Sequence, residues 1–215
     1  MTNLPPTPGT SGDGSSVSQE VPTDLTPARG ATLVALARQT ISAALTPAKV
    51  APPDKPDEDW LQTPGASFVT LHIAEQLRGC IGSLIAHRPL GNDVRSNARA
   101  AAFADPRFPP VTAAELAAIT IEVSVLSAPI PLTFTSRADA LANLRPGVDG
   151  VILTARGQRA TFLPQVWEEL PDPEVFIAHL MRKAGLPATF WDDSVRLERY
   201  TVTAFEEPND PSQAD

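Results

Sequence analysis

Hydrophobic and polar residues recur with two different periods along the chain, and these periods predict where helices and strands lie. Near the N-terminal end, apolar residues at helical spacing predict a first helix from Thr26 to about Leu45, ended by Pro47. The clearest strand is predicted at residues 119–127, where apolar residues alternate strictly with Thr120, Glu122 and other polar positions. The chain therefore contains both kinds of element.

Shorter patterns predict the other elements. Further helical stretches are expected at residues 89–104, from 112, at 136–144, 165–170 and 172–184, and further strands at 66–73, 83–85, 151–154, 159–163 and 196–205. In the helix at 89–104, Leu90, Val94 and several alanines form an apolar stripe, with Asn97 expected on another face. Because helices and strands follow no regular βαβ alternation, the sequence favours an α+β fold of mostly antiparallel sheet with flanking helices.

Proline content and charge divide the chain into a body and two tails. Residues 1–24, rich in Pro, Gly and Ser, and residues 206–215 are predicted to be disordered acidic tails, and residues 46–65 a proline-rich connector within the domain at 25–205. Residues 1–25 carry −3 and residues 206–215 carry −4 of the net charge of −8, so the body is nearly neutral. A neutral body argues against a broad nucleic-acid interface.

Several protein classes are excluded or disfavoured by what the sequence lacks. No apolar run approaches the ~20 residues that cross a bilayer, and the N-terminus does not resemble a signal peptide. A single cysteine excludes an internal disulfide framework, and the three histidines, His72, His87 and His179, show no metal-ligand spacing. We therefore expect a cytoplasmic protein without a membrane span, and the residues assign no metal and no particular cofactor.

The only cysteine lies in a short glycine-rich motif, Leu77 to Gly82, between the predicted strands at 66–73 and 83–85. This arrangement predicts a bend that presents the thiol of Cys80 with room around it. A nearby cation such as Arg78 would favour the reactive thiolate. The alternative is that Cys80 is a small residue packed in a tight bend, since free cysteines are often simply buried.

Two further places carry candidate chemistry. Glu122, on the polar side of an apolar strand, is either a general base or substrate-orienting group, or a partner in an ion pair with Arg78 or Arg107. Asp105 and Arg107 lie in a loop fixed by prolines, where Arg107 could clamp a carboxylate or phosphate, or Asp105 could only lock the helix end. Asn97 could orient either group.

The chain resembles the AMMECR-type domain family over about residues 26–205, and is most similar to the subgroup of the AmmeMemoRadiSam system protein A. The resemblance rests on an ordered set of motifs, which comprises residues 77–82, 97–98, 103–108, Glu115, 121–126, 147–150, 162–167 and 180–186. It implies an α+β fold of two unequal subdomains with a cleft between them. It also implies association with a Memo-like protein and a radical-SAM protein.

Together these observations lead to a first hypothesis, an enzyme or enzyme subunit acting on a small anionic or electrophilic substrate in a cleft around Cys80. Cys80 and Glu122 would be catalytic, and Arg78, Asn97, Asp105 and Arg107 would bind substrate. The second hypothesis is a non-catalytic adaptor whose motif docks the two partner proteins. A third, weaker hypothesis is RNA binding.

Overall fold

The computed structural model describes residues 25–46 and 59–208, and it confirms the α+β class. The helices are α1 (Pro27–Leu45), α2 (Asp59–Gln62), α3 (Leu90–Phe103), α4 (Arg137–Ala142) and α5 (Pro173–Lys183), with a 3-10 turn at Pro164–Glu168. The strands are β1 (Pro64–Ile73), β2 (Gln76–Gly82), β3 (Arg88–Pro89), β4 (Ile119–Leu126), β5 (Ile130–Leu132), β6 (Gly150–Ala155), β7 (Gln158–Phe162), β8 (Arg196–Tyr200) and β9 (Val202–Glu206).

The first sheet has the strand order β2-β1-β4-β9, with the short β3 also paired to β1, and all of its pairings are antiparallel. Helices α1 and α3 cover one face of this sheet. Their buried residues, including Leu33, Ile41 and Val94, pack with Leu71 and Ile121 of the strands. The alternation predicted for β4 is confirmed, because its apolar set points into this core.

The second sheet has the order β5-β8-β6-β7, and α4, α5 and the 3-10 turn pack against it to form a second core. The ring of Trp167 stacks on Phe176 with centroids 3.7 Å apart, and its indole N–H donates to the carbonyl oxygen of Asp149 at 2.7 Å. Both tryptophan contacts are structural, because the side chain is buried.

The two sheets are joined where the predicted strand at 196–205 divides into β8 and β9. The chain changes sheets at Thr201, whose amide donates to Ser127 Oγ and whose carbonyl accepts from the amide of Ser127. The prediction of one continuous strand was therefore wrong, because hydrogen bonding to Ser127 diverts the chain from one sheet to the other. The cleft between two unequal subdomains stays a prediction.

Other predicted boundaries need correction. The stretch from Thr112 forms turns instead of a helix, although the Glu115 carboxylate accepts from the amide and hydroxyl of Thr112 as in a capping box. Residues 1–24, 47–58 and 209–215 lie outside the described residues, and with them the predicted N-terminal tail, most of the predicted C-terminal tail and most of the connector.

The C-terminal boundary predicted at residue 205 falls inside the last strand, because Glu206 ends β9. Glu207 accepts from Arg38 Nε at 2.8 Å and forms an ion pair with this arginine of α1. The Glu207 carboxylate also accepts from the backbone amide of Ile121. Glu207 therefore ties the end of the described chain to both α1 and β4.

Within residues 25–46 and 59–208, no helix has the length and apolar character needed to span a bilayer.

Candidate functional site

Cys80 lies in a strand and not in the predicted bend. Strand β2 is an edge strand that forms a hairpin with β1, and the turn between them uses Ala74 and Glu75, both with positive φ. Cys80 pairs with Thr70 of β1, while residues 83–85 form no strand. The prediction was wrong because the glycines of the motif were interpreted as turn residues.

The glycines of the motif permit close approach of neighbouring groups. A Cβ at Gly79 would lie 2.3 Å from the carbonyl oxygen of Ala101 in α3, and a Cβ at Gly82 would lie 2.2 Å from the Phe68 ring. Both contacts are too short for any side chain. Because Gly79 faces α3, Cys80 points to the opposite face of the sheet, where its side chain is half-buried.

On that open face, Cys80 is the first member of a row across three strands. Thr70 pairs with Cys80 on one side and with Glu122 of β4 on the other. Directly paired residues project to the same face, and strands lie roughly 4.8 Å apart, so the Cα atoms of Cys80 and Glu122 are about 10 Å apart. The hydroxyl of Thr70 donates to Cys80 Sγ at 3.3 Å.

Glu122 has few partners in this row. Its carboxylate accepts a hydrogen bond from Ser124 Oγ at 2.9 Å. Across the pairing of β4 with β9, it lies opposite a second carboxylate, that of Glu206. The predicted ion pair with Arg78 or Arg107 was wrong, because each arginine pairs with another acid and Glu122 has no ion pair within the described part of the chain. Its charge is therefore not neutralised by a cation of the described residues.

Asp105 and Arg107 clasp the outer edge of β2 at Cys80. The buried Asp105 carboxylate accepts from the amide of Cys80 at 2.9 Å, and Arg107 Nη2 donates to the carbonyl oxygen of Cys80 at 3.1 Å. The two side chains also pair with each other, Nη2 to Oδ2, at 2.7 Å. An edge strand exposes unpaired backbone groups, and this clasp satisfies both groups of Cys80.

The clasp also sets the charge beside the thiol. The pKa of Asp105 lies well below its usual range despite burial. The largest cause is the hydrogen bond from the Arg107 side chain, and the hydrogen bonds from the backbone amides of Cys80 and Arg107 add to it. The pKa of Arg107 is raised, first by Asp105 and also by the Cys80 side chain. The guanidinium is half-exposed, and its Nη1 forms no hydrogen bond with the described residues. Arg107 therefore presents an available donor next to the sulfur.

Arg78 is engaged elsewhere. It lies at an irregularity in the pairing of β1 with β2, and its Nε donates to Glu115 at 2.8 Å. This hydrogen bond, together with those from the amide and hydroxyl of Thr112, lowers the pKa of Glu115 to about 2. Arg78 Nη1 is buried and has no hydrogen-bond partner among the described residues. Arg78 thus anchors the turn at 112–118 instead of contacting the thiol.

Asn97 belongs to a separate polar cluster beneath the sheet. It is 3% exposed, contrary to the expectation that it lies away from the buried stripe of α3. Its amide donates to the carbonyl oxygen of Ser67 and to Asp93, each at 2.9 Å. Asp93, fully buried, also accepts from the amide and hydroxyl of Ser67, from Ser83 Oγ and from Arg88 Nε at 2.7 Å.

We refer to Asp93, Ser67, Asn97, Ser83 and Arg88 as the Asp93 network. Sequence reasoning missed Asp93 because a carboxylate in a helix is usually solvated. A signal was present, since positions 90, 93, 94, 97, 98 and 101 share one helical face, and that face is the buried one.

The structure therefore brings Cys80, Glu122, Asp105 and Arg107 to one part of the first sheet. Arg78 and Asn97 are held in other contacts. No group of three or more His, Cys, Asp or Glu side chains in the described ranges is placed to hold a metal ion.

Comparison with known proteins places this arrangement in a family. The AMMECR1 family profile matches residues 34–205, which extend from the middle of α1 to β9. The chain belongs to the AMMECR1 family. The match covers the whole row from Cys80 to Glu122 as well as the clasp and the Asp93 network.

Relatives in the AMMECR1 family come from archaea and bacteria. A protein of Methanothermobacter thermautotrophicus is 42% identical over 182 residues, which cover 83% of this chain and 94% of the relative. A protein of Thermotoga maritima is 40% identical over 162 residues, covering 73% of this chain and 87% of the relative. The crystal structure of the uncharacterized protein PH0010 from Pyrococcus horikoshii is similar with a TM-score of 0.68 and 34% identity, over 83% of this chain and 91% of that one.

Proposed function

We propose that this AMMECR1-family protein is a cytoplasmic enzyme or enzyme subunit that acts on a small anionic or electrophilic substrate at the Cys80 face. The observation that carries the proposal is the surroundings of the thiol. A half-buried Cys80 accepts a hydrogen bond from Thr70 and lies next to Arg107, which keeps a free donor. A hydrogen-bond donor and a cation both stabilise a thiolate, the form of cysteine that reacts.

The geometry gives each group a role. Cys80 is the nucleophile or covalent carrier. As its sulfur bonds to an unsaturated electrophilic carbon of the substrate, the π bond of that carbon opens and its electron pair moves to the neighbouring substrate atom, which takes up a proton. Glu122 lies on the same face two strands away, so it accepts the thiol proton through a bridging water and not directly, and no cation of the described residues neutralises it. Arg107 Nη1 binds the anionic group of the substrate, since guanidinium matches carboxylate and phosphate geometry.

The remaining predicted residues have supporting roles in this proposal. Asp105 fixes the Cys80 backbone and orients Arg107, so it positions the site without touching the substrate. Arg78 and Asn97 hold the turn at 112–118 and the sheet–helix contact.

The test is the alkylation of the single cysteine by iodoacetamide, followed by intact mass across pH 5 to 10. We expect the wild-type rate at pH 7 to exceed that of a free thiol. Arg107→Gln should lower that rate several-fold, because the cation beside the sulfur is lost. Arg99→Gln, an exposed arginine of α3, is the matched control and should leave it unchanged. Reaction only above about pH 8.5, with no effect of Arg107→Gln, would contradict the proposal.

A second candidate is an adaptor that docks a Memo-like protein and a radical-SAM protein. It is favoured by Leu77, an apolar residue of the motif that is 41% exposed on an edge strand. Its test is co-purification with those two proteins from the same organism. Leu77→Asp should abolish the complex, whereas Cys80→Ala and Val175→Asp, the latter at a similarly exposed site on α5, should retain it. Loss of the complex in Cys80→Ala alone would reject the adaptor role.

A further inference from the structure

A groove lies between residues 83–87 and the second sheet, away from the row of Cys80. It consists of two adjoining cavities of about 240 and 290 Å³, which share Leu84, Ile85, Ile152 and Arg159 as lining residues. Ligand pockets usually have roughly 300–1,000 Å³, so the two parts together provide room for a small molecule.

The groove has an apolar wall that water reaches. Leu84 and Ile85 are 42% and 60% exposed, and they face Ile152 and Tyr200, both of which are buried in the small cluster between the sheets. Exposed apolar side chains at the mouth of a concave site with a buried apolar floor are typical of a ligand-binding surface.

The groove carries two cations, Arg159 where its two cavities join and Lys183 in the cavity of about 290 Å³. Arg159 is half-exposed, and its closest acidic partner, Glu198, is 3.8 Å away, which is a weak contact. Lys183 donates to the carbonyl oxygen of Thr161 at 3.0 Å and keeps two further N–H donors. No lining residue of either cavity is acidic. This cationic part of the groove therefore attracts an anion.

The groove is distinct from the Cys80 row. On β1, Ala66 lines the groove and Thr70 contacts Cys80, and these residues are four positions apart on the same face. At about 3.3 Å per residue, that separation is about 13 Å. The Phe68 ring, packed over Gly82, lies between them.

We propose that this groove binds a small amphipathic anion, with its apolar chain against Leu84, Ile85 and Ile152 and its carboxylate against Arg159 and Lys183. The concave shape, the buried apolar floor and the two cations favour a small molecule over an extended protein surface. This site does not depend on the proposed chemistry of Cys80.

The test uses octanoate as the probe, below its micelle concentration, in a titration of the full-length protein followed by amide chemical shifts. We expect saturable shifts around residues 83–87 and 159–161, and about threefold to fourfold weaker binding for each methylene removed in hexanoate and butanoate. Octanamide, which has the same chain without charge, should bind at least severalfold more weakly.

Matched variants locate the site. Ile85→Ser should weaken octanoate binding about tenfold, whereas Ile130→Ser, at a 58% exposed isoleucine of β5, should not. Lys183→Gln should weaken it twofold to fivefold, whereas Arg182→Gln, its neighbour on α5, should not. Absence of octanoate binding, or equal binding of octanamide, would overturn the proposal. Equal effects of the two variants in a pair would do the same. So would shifts at the groove residues that appear only with an acidic partner protein and not with octanoate.

Discussion

Two polar clusters lie on opposite faces of the same strand, and they differ in how completely their groups are satisfied. Beneath β1, Asp93, Ser67 and Asn97 of the Asp93 network are buried, and the carboxylate of Asp93 accepts from four residues. On the open face, Thr70 pairs with Cys80 on one side and with Glu122 on the other. The carboxylate of Glu122 has a single hydrogen-bond donor, Ser124, among the described residues.

This difference distinguishes groups that stabilise the fold from groups that can react or bind a ligand. A polar group that is buried with all its partners has little capacity left for a ligand, and its removal lowers the free energy of unfolding. A half-exposed group with unused donors or acceptors can exchange water for a substrate. The clasp of Asp105 and Arg107 stands between the two extremes, because its acid is buried and its guanidinium is half-exposed.

The largest expected effect is on the Asp93 network. Asp93→Ala should lower the free energy of unfolding by about 3–5 kcal/mol, because Arg88 and the buried groups of Ser67 and Asn97 lose their common acceptor. Chemical denaturation measures this loss. Asn92→Ala, an exposed neighbour on α3, serves as the control and should change stability by no more than about 0.5 kcal/mol. A similar small change in Asp93→Ala would show that the network is not structural.

An intermediate effect is expected at the clasp. Asp105→Asn should cost about 1–3 kcal/mol at pH 7, because the amide of Cys80 and the guanidinium of Arg107 lose a charged acceptor. Chemical denaturation at several pH values tests how this stability difference changes with pH.

The pKa of folded Asp105 is lowered by Arg107, so the contribution of the carboxylate is fully present above its unfolded pKa of about 3.9. That contribution is lost as pH falls toward the lowered folded value. The difference between wild type and Asp105→Asn should therefore shrink between about pH 5 and pH 2. A constant difference over this range would contradict the role of the charge.

The smallest effect on stability is expected on the open face. Glu122→Gln should change the free energy of unfolding by no more than about 0.5 kcal/mol, because its carboxylate lies opposite Glu206 and binds only Ser124 among the described residues. The same variant should slow the alkylation of Cys80 at neutral pH if Glu122 accepts the thiol proton. A loss of stability like that of Asp93→Ala would instead assign Glu122 to the structural group.

Much of the fold could be predicted from periodicity, because local patterns specify local elements. The first helix, β4 and α5 lie where the spacing of apolar residues places them. The hairpin turn at Ala74 and Glu75 could not be predicted in this way, since neither residue is typical of positive φ. The glycines of the motif predict a bend at Cys80 that the structure does not have. Their role is close contact with α3 and Phe68, which are distant in sequence.

The candidate site could be predicted in part. Residue type and rigid surroundings single out Cys80, Asp105 and Arg107 in the sequence, and these residues do contact one another. The contacts of Cys80 with Asp105 and Arg107, and the pairing of Arg78 with Glu115, join segments 25 to 37 residues apart, and sequence spacing does not encode them. The predicted position of Arg78 beside the thiol is therefore wrong, because Arg78 binds Glu115.

The bond between Glu207 and Arg38 has a practical consequence for anyone shortening the gene. The family match ends at residue 205, so trimming to that boundary would delete a carboxylate that holds α1 and supplies an acceptor to Ile121. Arg38 would keep its carbonyl acceptors at Leu116 and Ile119 but lose its counter-charge. Expression of this domain should therefore extend at least to Pro208.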